Sequence, residues 1–452
     1  MELFKQSIYN SNNFNFGKTY QQLRDTQKKR LESLFMEKNI AKRFIKKETS
    51  DPRWYWVAAP LLDFLNPDYN DLLEYLLEDQ QIKGEKKQHL IYLRDFLEKL
   101  ISGDEVMGKF PAGFINILSD TLLSSPANAS LYAFSSNTII AETSMDLFKQ
   151  AFLVADAFLS YFNKPESISA IRMQSKGKTY WRKTLNYCAA GNIASMLDEY
   201  FYMLKECDSK NNVRDITELM ESLLSIRPSN VDVDLQSNYG TTQTKAMRCH
   251  FAVSYGVQKL NTESGNNRLT NVRTVFNSPF RPFVLTSTSI GQEGLDFHFY
   301  CRKIFHWNLP HNAIDLEQRE GRINRYKGLV IRNKIAQTIP NEYLNNKGET
   351  SIWKLLFKLA EDKNQGSQYG INPFWYLDEG NTKIERFVPI HRFSKDQLKY
   401  ERLKTILALY RLTFGQPRQE ELIEALRSAD LSEEELNKIR KNLLINLSPI
   451  QK

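Results

Sequence analysis

Gln318-Arg319-Glu320-Gly321-Arg322-Ile323-Asn324-Arg325 places three arginines at intervals of three residues. On a helix, Arg319, Arg322 and Arg325 then share one face, where like charges repel. Such a face calls for an anion opposite it, and the planar guanidinium fork suits phosphate oxygens. The segment opens near Ala313, just after a β-like run, Lys303-Ile304-Phe305-His306-Trp307, that ends at Asn308-Leu309-Pro310. Further upstream, Phe283-Val284-Leu285 leads into the hydroxyl residues Ser287, Thr288 and Ser289 and then into Gly291 and Gly294. Two apolar runs, each followed by a polar segment, are the frame that must hold these groups.

The surrounding pattern predicts that frame. Val231-Asp232-Val233-Asp234-Leu235 alternates with period two and reads as a short strand, 239–244 as a loop, and 248–256 as a strand ending in a turn. A helix over 268–276, strands over 283–287 and 303–307, the arginine helix and a strand over 329–336 follow. Strand, helix, strand, strand, helix, strand fits an open, mostly parallel sheet with helices on its faces. Ligands of such sheets collect at the C-terminal ends of the strands, where both polar segments fall.

Two of these segments carry a resemblance. Ser287-Thr288-Ser289-Ile290-Gly291-Gln292-Glu293-Gly294-Leu295-Asp296 resembles motif V of superfamily 2 helicases, and Gln318–Arg325 resembles their motif VI, Q-x-x-G-R-x-x-R. The stretch 268–279 is similar to the helix before motif V in SWI/SNF-type translocases. The resemblance spans roughly 248–334. It implies an α/β RecA-like second helicase lobe, of the P-loop NTPase type, flanked by large all-α regions.

In such an enzyme ATP lies between two RecA-like lobes. The resemblance then implies Arg325 as the arginine finger, Arg322 as its partner on the γ-phosphate and Gln318 as the residue orienting them. Gly294, Asp296, Gly321 and Arg319 would line the ATP site, with Asp296 near the ribose and Gly294 admitting close backbone approach. Ser287, Thr288 and Ser289 would meet nucleic-acid phosphates, a contact that positions without reading sequence. As strand-end hydroxyls, they equally suit an ordinary turn.

Over the whole chain, 452 residues allow two or three domains with real cores. The formal charge of +8 favours a nucleic-acid partner. Four separated cysteines, Cys188, Cys207, Cys249 and Cys301, form no Cys-x-x-Cys pair and read as free thiols in a reducing compartment. No apolar run approaches the ~20 residues that span a bilayer, and the first residues lack a signal-peptide layout. A soluble cytoplasmic protein is expected.

Residues 1–225 read as helix after helix, 226–345 as the RecA-like lobe, and 346–452 as a helical C-terminal extension. Within the first region, Gly17-Lys18-Thr19 and Gly177-Lys178-Thr179 imitate the end of a phosphate loop. They have Asn12 and Arg172 where the full pattern requires its first glycine. Asp198-Glu199 imitates a magnesium-binding pair but lies in a helical pattern and reads as a solvated face. His298, His306 and His311 suggest a metal only weakly, since no carboxylate joins them at ligand spacing, and core or surface histidines are expected.

No complete phosphate loop and no strand ending in Asp-Glu-x-His occurs in the sequence. The layout resembles the C-terminal part of large bacterial helicase-like proteins, a group found in mobile-element and phage-defence settings. The helical region would be an inter-lobe insertion, and ATP with Mg²⁺ would bind only once a first RecA-like lobe is supplied in cis or in trans. The expected function is the C-terminal half of an ATP-dependent helicase or translocase on double-stranded DNA, inactive alone. The alternative is a non-catalytic DNA- or protein-binding module on a degenerate RecA-like lobe. A nuclease or methyltransferase accessory lacks a metal-binding carboxylate cluster or cofactor loop in this sequence.

Overall fold

The computed structural model describes residues 16–66, 71–80, 82–191, 193–225, 229–236, 242–249, 274–280, 283–286, 299–339, 351–364, 370–429 and 431–450. The chain divides into two compact units, Met1–Ile226 with Pro340–Leu356, and Arg227–Ile339 with Phe357–Lys452. Residues of the expected C-terminal extension from Phe357 onward therefore group with the second unit. No helix among the described residues is long and apolar enough to cross a membrane.

The first unit begins with α1 (Phe16–Glu37) and α2 (Ile40–Phe44), then β1 (Ile45–Ser50), α3 (Trp54–Phe64), α4 (Asp71–Glu78), α5 (Glu85–Ser102) and β2 (Met107–Lys109). Its core is aromatic. Trp54 is fully buried, with its ring 4.7 Å from Phe110, and Phe110 stacks on Phe114 at 5.2 Å. Leu31 and Phe35 of α1 pack into the same cluster.

Among the described residues, seven helices follow: α6 (Phe114–Ser124), α7 (Pro126–Ser136), α8 (Ser144–Phe162), α9 (Pro165–Gln174), α10 (Tyr180–Ala190), α11 (Ile193–Cys207) and α12 (Val213–Ser225). The starts of α7 and α8 are encoded locally. Ser125 caps α7 with Pro126 next to it, and Thr143 accepts the Asp146 amide at 3.0 Å, each satisfying an orphan helix donor. α7 packs on α11, and α8 on α12. The imitation phosphate loops are accounted for: Gly17-Lys18-Thr19 lies within α1, and Thr179 is the N-cap of α10.

Two sequence expectations fail here. The region is not purely helical, because β1 pairs with β2 in parallel. β1 is polar and exposed, so no periodicity announces it. A nonlocal polar node makes the pair. Asp51 Oδ2 accepts the Gly108 amide at 3.0 Å and Arg53 Nη2–H at 2.8 Å. Arg53 also donates to Glu105 at 3.1 Å, while the Trp54 indole donates to Gly108 O at 2.7 Å. A Cβ at Gly108 would overlap the Thr49 carbonyl oxygen, so only glycine fits.

The second failure is Asp198, which is buried rather than on a solvated face. The hydroxyl of Ser136 donates to it, and Asn137 Nδ2 donates at 3.0 Å. Donors at the C-terminal end of α7 thus admit a carboxylate into the α11 interface.

The second unit holds β3 (Ser229–Gln236) and β4 (Thr242–Cys249), β5 (Lys303–Phe305), α13 (Ala313–Gly321), α14 (Leu329–Thr338), α15 (Ile352–Lys363), β6 (Glu385–Phe387), α16 (Asp396–Leu412), α17 (Gln419–Ser428) and α18 (Glu433–Leu443). The division between the units falls inside α15. β3 and β4 form an antiparallel hairpin with Ser229 opposite Cys249 and Gln236 opposite Thr242. β4 begins inside the loop expected over 239–244 and includes 248–249, while the rest of the strand expected over 248–256 lies outside the described residues. β5 pairs with β6 in parallel.

Among the described residues, strands occur only in two-stranded pairs, and 283–286 belong to none. The strand expected over 329–336 is α14. Its β-branched run misled, but Ile331 and Ile335 sit one turn apart and are buried together, the spacing of a helix face. α13 packs Ala313 and Leu316 against Leu403 and Leu407 of α16.

The Asp51 node yields a pH test. Burial alone would raise this carboxyl, but hydrogen bonds from Arg53 and Gly108 outweigh it and hold the pKa at about 2. A lowered folded value means a stabilising contribution present above the unfolded value of roughly 3.9 and lost as pH falls through the folded one. Asp51→Asn is expected to cost on the order of 1–2 kcal/mol at pH 7 after solvent screening. In thermal melts followed by circular dichroism, its deficit should close as the pH drops toward 2. An equal deficit at both ends of the range would remove the carboxylate from this role.

Candidate arginine-rich anion site

The site is built where β5 hands over to α13. Asn312 caps α13 by accepting the Ile314 amide at 3.0 Å, and Asp315 in the first turn suits the helix dipole. The helix then ends at Gly321, and Arg322 is its C-cap. The last turn tightens through Arg322 N–H to Arg319 O at 3.3 Å and Ile323 N–H to Glu320 O at 3.2 Å. Arg325 lies in the turn beyond, where its carbonyl accepts the Gly328 amide at 3.1 Å. The expectation that Arg319, Arg322 and Arg325 share one helical face is therefore wrong. One arginine is on the helix, one at its end and one in the following turn. Gly321, a poor helix former, marks the stop.

The individual groups differ in what they are free to do. Gln318 is exposed. Arg319 Nη1–H donates to the Asn308 carbonyl at 2.9 Å and so braces the connection between β5 and α13. Arg322 is half-buried, and among the described residues its guanidinium has no carboxylate or hydrogen-bond partner. A half-buried cation without a counter-charge is suited to an incoming anion. A methyl group added at Gly321 would meet nothing within 4 Å. The described residues thus leave room there. Ser287, Thr288, Ser289, Gly294, Asp296 and His298 lie outside the described residues.

Sequence reasoning missed the residue on which the site stands. Glu320 is buried. It meets His306 Nε2 at 3.1 Å, and it accepts Arg386 through both Nε–H and Nη2–H, the latter at 2.6 Å. Arg386 Nη1–H continues to the Tyr400 hydroxyl at 3.2 Å. Burial raises the Glu320 pKa, but the bonds from His306 and Arg386, together with the Arg386 charge, outweigh it and hold the carboxyl below its ordinary range. The Arg386 guanidinium is in turn pushed up: burial opposes its charge, and Glu320 and Tyr400 overcome that penalty.

His306 is thus a core histidine with a carboxylate partner, whereas His311 is exposed. The only local signal was alternation, since His306 lies between the outward Phe305 and Trp307 and must face inward. Nothing in the sequence announces Arg386.

The turn holding Arg325 is anchored from below. Lys327 is buried at φ 51°. Its amide donates to Phe374 O at 2.8 Å, and its ammonium lies 4.6 Å from the Phe357 ring centre and 5.3 Å from that of Tyr326. Fully buried Arg332 of α14 donates to Lys327 O at 2.9 Å and also to Phe299 O. Among the described residues, no group of three or more His, Cys, Asp or Glu side chains is gathered to hold a metal ion.

No family model matches the chain, and no curated protein or solved structure matches it.

Glu320→Gln removes the counter-charge from a buried guanidinium. It is expected to destabilise the protein by about 3 kcal/mol at pH 7, the usual cost of breaking a buried pair from one side. The lowered carboxyl makes this contribution present above roughly pH 4.3 and lost as pH falls below it. Urea unfolding at pH 7 and pH 3.5 checks both the size and the direction of the change.

Proposed function

We propose that this chain supplies the second RecA-like lobe of an ATP-dependent DNA helicase or translocase, a soluble cytoplasmic protein acting on double-stranded DNA, with phage defence as a fitting setting. The observation that carries the reading is the ordered pair of segments. Ser287–Asp296 ends in Glu-Gly-Leu-Asp, and Gln318-x-x-Gly321-Arg322-x-x-Arg325 follows one strand later. The Arg322 guanidinium, without a partner among the described residues, and the open space those residues leave over Gly321 support it, since both suit a phosphate-bearing ligand.

On this reading ATP supplies the phosphoryl group. Arg325 stabilises charge developing on it, Arg322 holds a γ-phosphate oxygen, and exposed Gln318 orients the pair. Gly294, Asp296 and Gly321 approach the nucleotide, with Arg319 bracing the loop beneath it. Ser287, Thr288 and Ser289 hold the DNA backbone. Magnesium and the phosphate-loop lysine belong to a first lobe in cis or in trans. The second reading, a non-catalytic binding module, is favoured by the lack of a complete G-x-x-x-x-G-K-[ST] pattern in the sequence.

ATP hydrolysis with double-stranded DNA separates the two readings. The chain alone is expected to be inactive, and addition of the protein encoded beside it should restore turnover. Arg325→Ala should lower that turnover by about 10³-fold. Gly321→Ala should leave the melting temperature unchanged or slightly raised, because the site is sterically open and alanine favours helix, yet it should impair hydrolysis. DNA binding without hydrolysis in the complemented mixture would hand the chain to the second reading.

A further inference from the structure

The two faces of the β5–β6 pair differ in chemistry. Opposite residues of a parallel pair project to the same side, so Ile304 and Arg386 lie together with His306, facing Glu320. The other side carries Lys303 opposite Glu385 and Phe305 opposite Phe387, and Trp307 follows beyond the end of β5. Phe305 stacks on Phe387 with ring centres 4.5 Å apart and planes 10° from parallel. Trp307 meets His391 edge to face at 6.0 Å. Phe305 is 65% exposed, Trp307 72% and nearby Phe393 fully exposed.

Phe393 is also held at φ 63°. That left-handed conformation is unfavourable for a bulky aromatic residue, and it gains no burial of the ring in return.

Basic side chains flank this ladder, with Lys303 4.0 Å from the Glu385 carboxylate opposite it. Lys303 reaches over the Phe387 ring at 5.7 Å, and Arg392 and Lys395 are exposed beside Phe393. Among the described residues, neither Arg392 nor Lys395 has a carboxylate partner. The neighbouring acids are already engaged, Glu385 by Arg302 and Asp396 by the Ser394 hydroxyl at 2.5 Å. Exposed rings beside Arg392 and Lys395, two cations with no carboxylate partner among the described residues, match an anionic ligand that offers π-faces of its own.

We propose that Phe305, Phe387, Trp307, His391 and Phe393, with Lys303, Arg392 and Lys395, form a platform on which single-stranded nucleic acid stacks its bases. A duplex keeps its base faces inside its own stack, whereas a single strand presents them. The rings give base contacts without sequence preference, and the cations follow the phosphates. This surface goes beyond the phosphate contacts assigned above to Ser287, Thr288 and Ser289.

The test is fluorescence anisotropy of a labelled oligothymidine about 20 nucleotides long with the full chain, without nucleotide or partner protein. Binding is expected, tighter than to a duplex of equal length. Trp307→Ala and Phe305→Ala should each weaken it about 10-fold, whereas Trp307→Phe should keep it within about 3-fold. Arg392→Ala with Lys395→Ala should flatten the salt dependence by roughly one unit of slope. All these side chains are exposed, so melting temperatures should match the unaltered chain and exclude misfolding.

Equal affinity of Trp307→Ala, or no binding at all, overturns the proposal. A chain that ignores the oligonucleotide but runs as a dimer, and becomes monomeric on Trp307→Ala, would make this face a contact between copies. The assay involves neither Arg325 nor ATP, so the platform and the helicase reading stand or fall separately.

Discussion

Glu320 accepts hydrogen bonds from a histidine that follows β5 and from an arginine on β6 while it sits on α13. Three segments far apart in sequence are thereby tied to one buried carboxylate. The arrangement persists because Arg386 reaches both carboxylate oxygens and His306 adds a further bond; without Arg386 the buried carboxylate would carry an uncompensated desolvation cost. Its consequence reaches the arginines. With Glu320 pinned inward and Ile323 buried just beyond it, α13 is brought to its end at Gly321, and Arg322 and Arg325 emerge from a short turn. On the proposed reading, a finger arginine benefits from such a turn, because packing below fixes where it starts.

The first unit follows the same logic with different residues. Asp51 and Arg53 join a polar strand to β2, and the indole of Trp54 completes the node on Gly108. Asp198 is satisfied by Ser136 and Asn137 at the end of α7. In both places a buried charge is tolerated because donors converge on it, and each node couples elements that hydrophobic contact alone would leave free to slide. The β5–β6 pair shows what happens when one side of such a node is fully used. The inner face carries the Glu320–Arg386 ion pair and the His306 bond, and the outer face carries aromatic rings and the Lys303–Glu385 pair.

Local signals were legible where local chemistry governs. Ser125 with Pro126, and Thr143, are residue types that cap helix starts, and the nearly all-round apolar character of 143–162 is that of a buried helix. The motif-like order around Gln318–Arg325 is likewise a property of the chain read in one dimension. Where burial partners come from a distance, the reading failed. Leu329–Thr338 has the β-branched composition of a strand but is a helix, because Ile331 and Ile335 pack on one face and the Arg332 guanidinium finds carbonyls at Lys327 and Phe299. Asp198 looked solvated because its donors lie on another helix.

The sequence by itself determined which segments carry chemistry: the arginines after α13, the hydroxyl and glycine run before β5, and the basic excess of the whole chain. Residue type and spacing are enough for that, since charge and hydrogen-bonding capacity belong to the side chains. Only the tertiary structure decided which of those groups are occupied and which are open. Arg319 is engaged by Asn308 and Arg386 by Glu320, while Arg322 has no described partner. It also decided that β1 pairs with β2 and that aromatic rings line one side of β5. Pairing and burial depend on neighbours brought together by folding, and no local period encodes a neighbour 66 residues away.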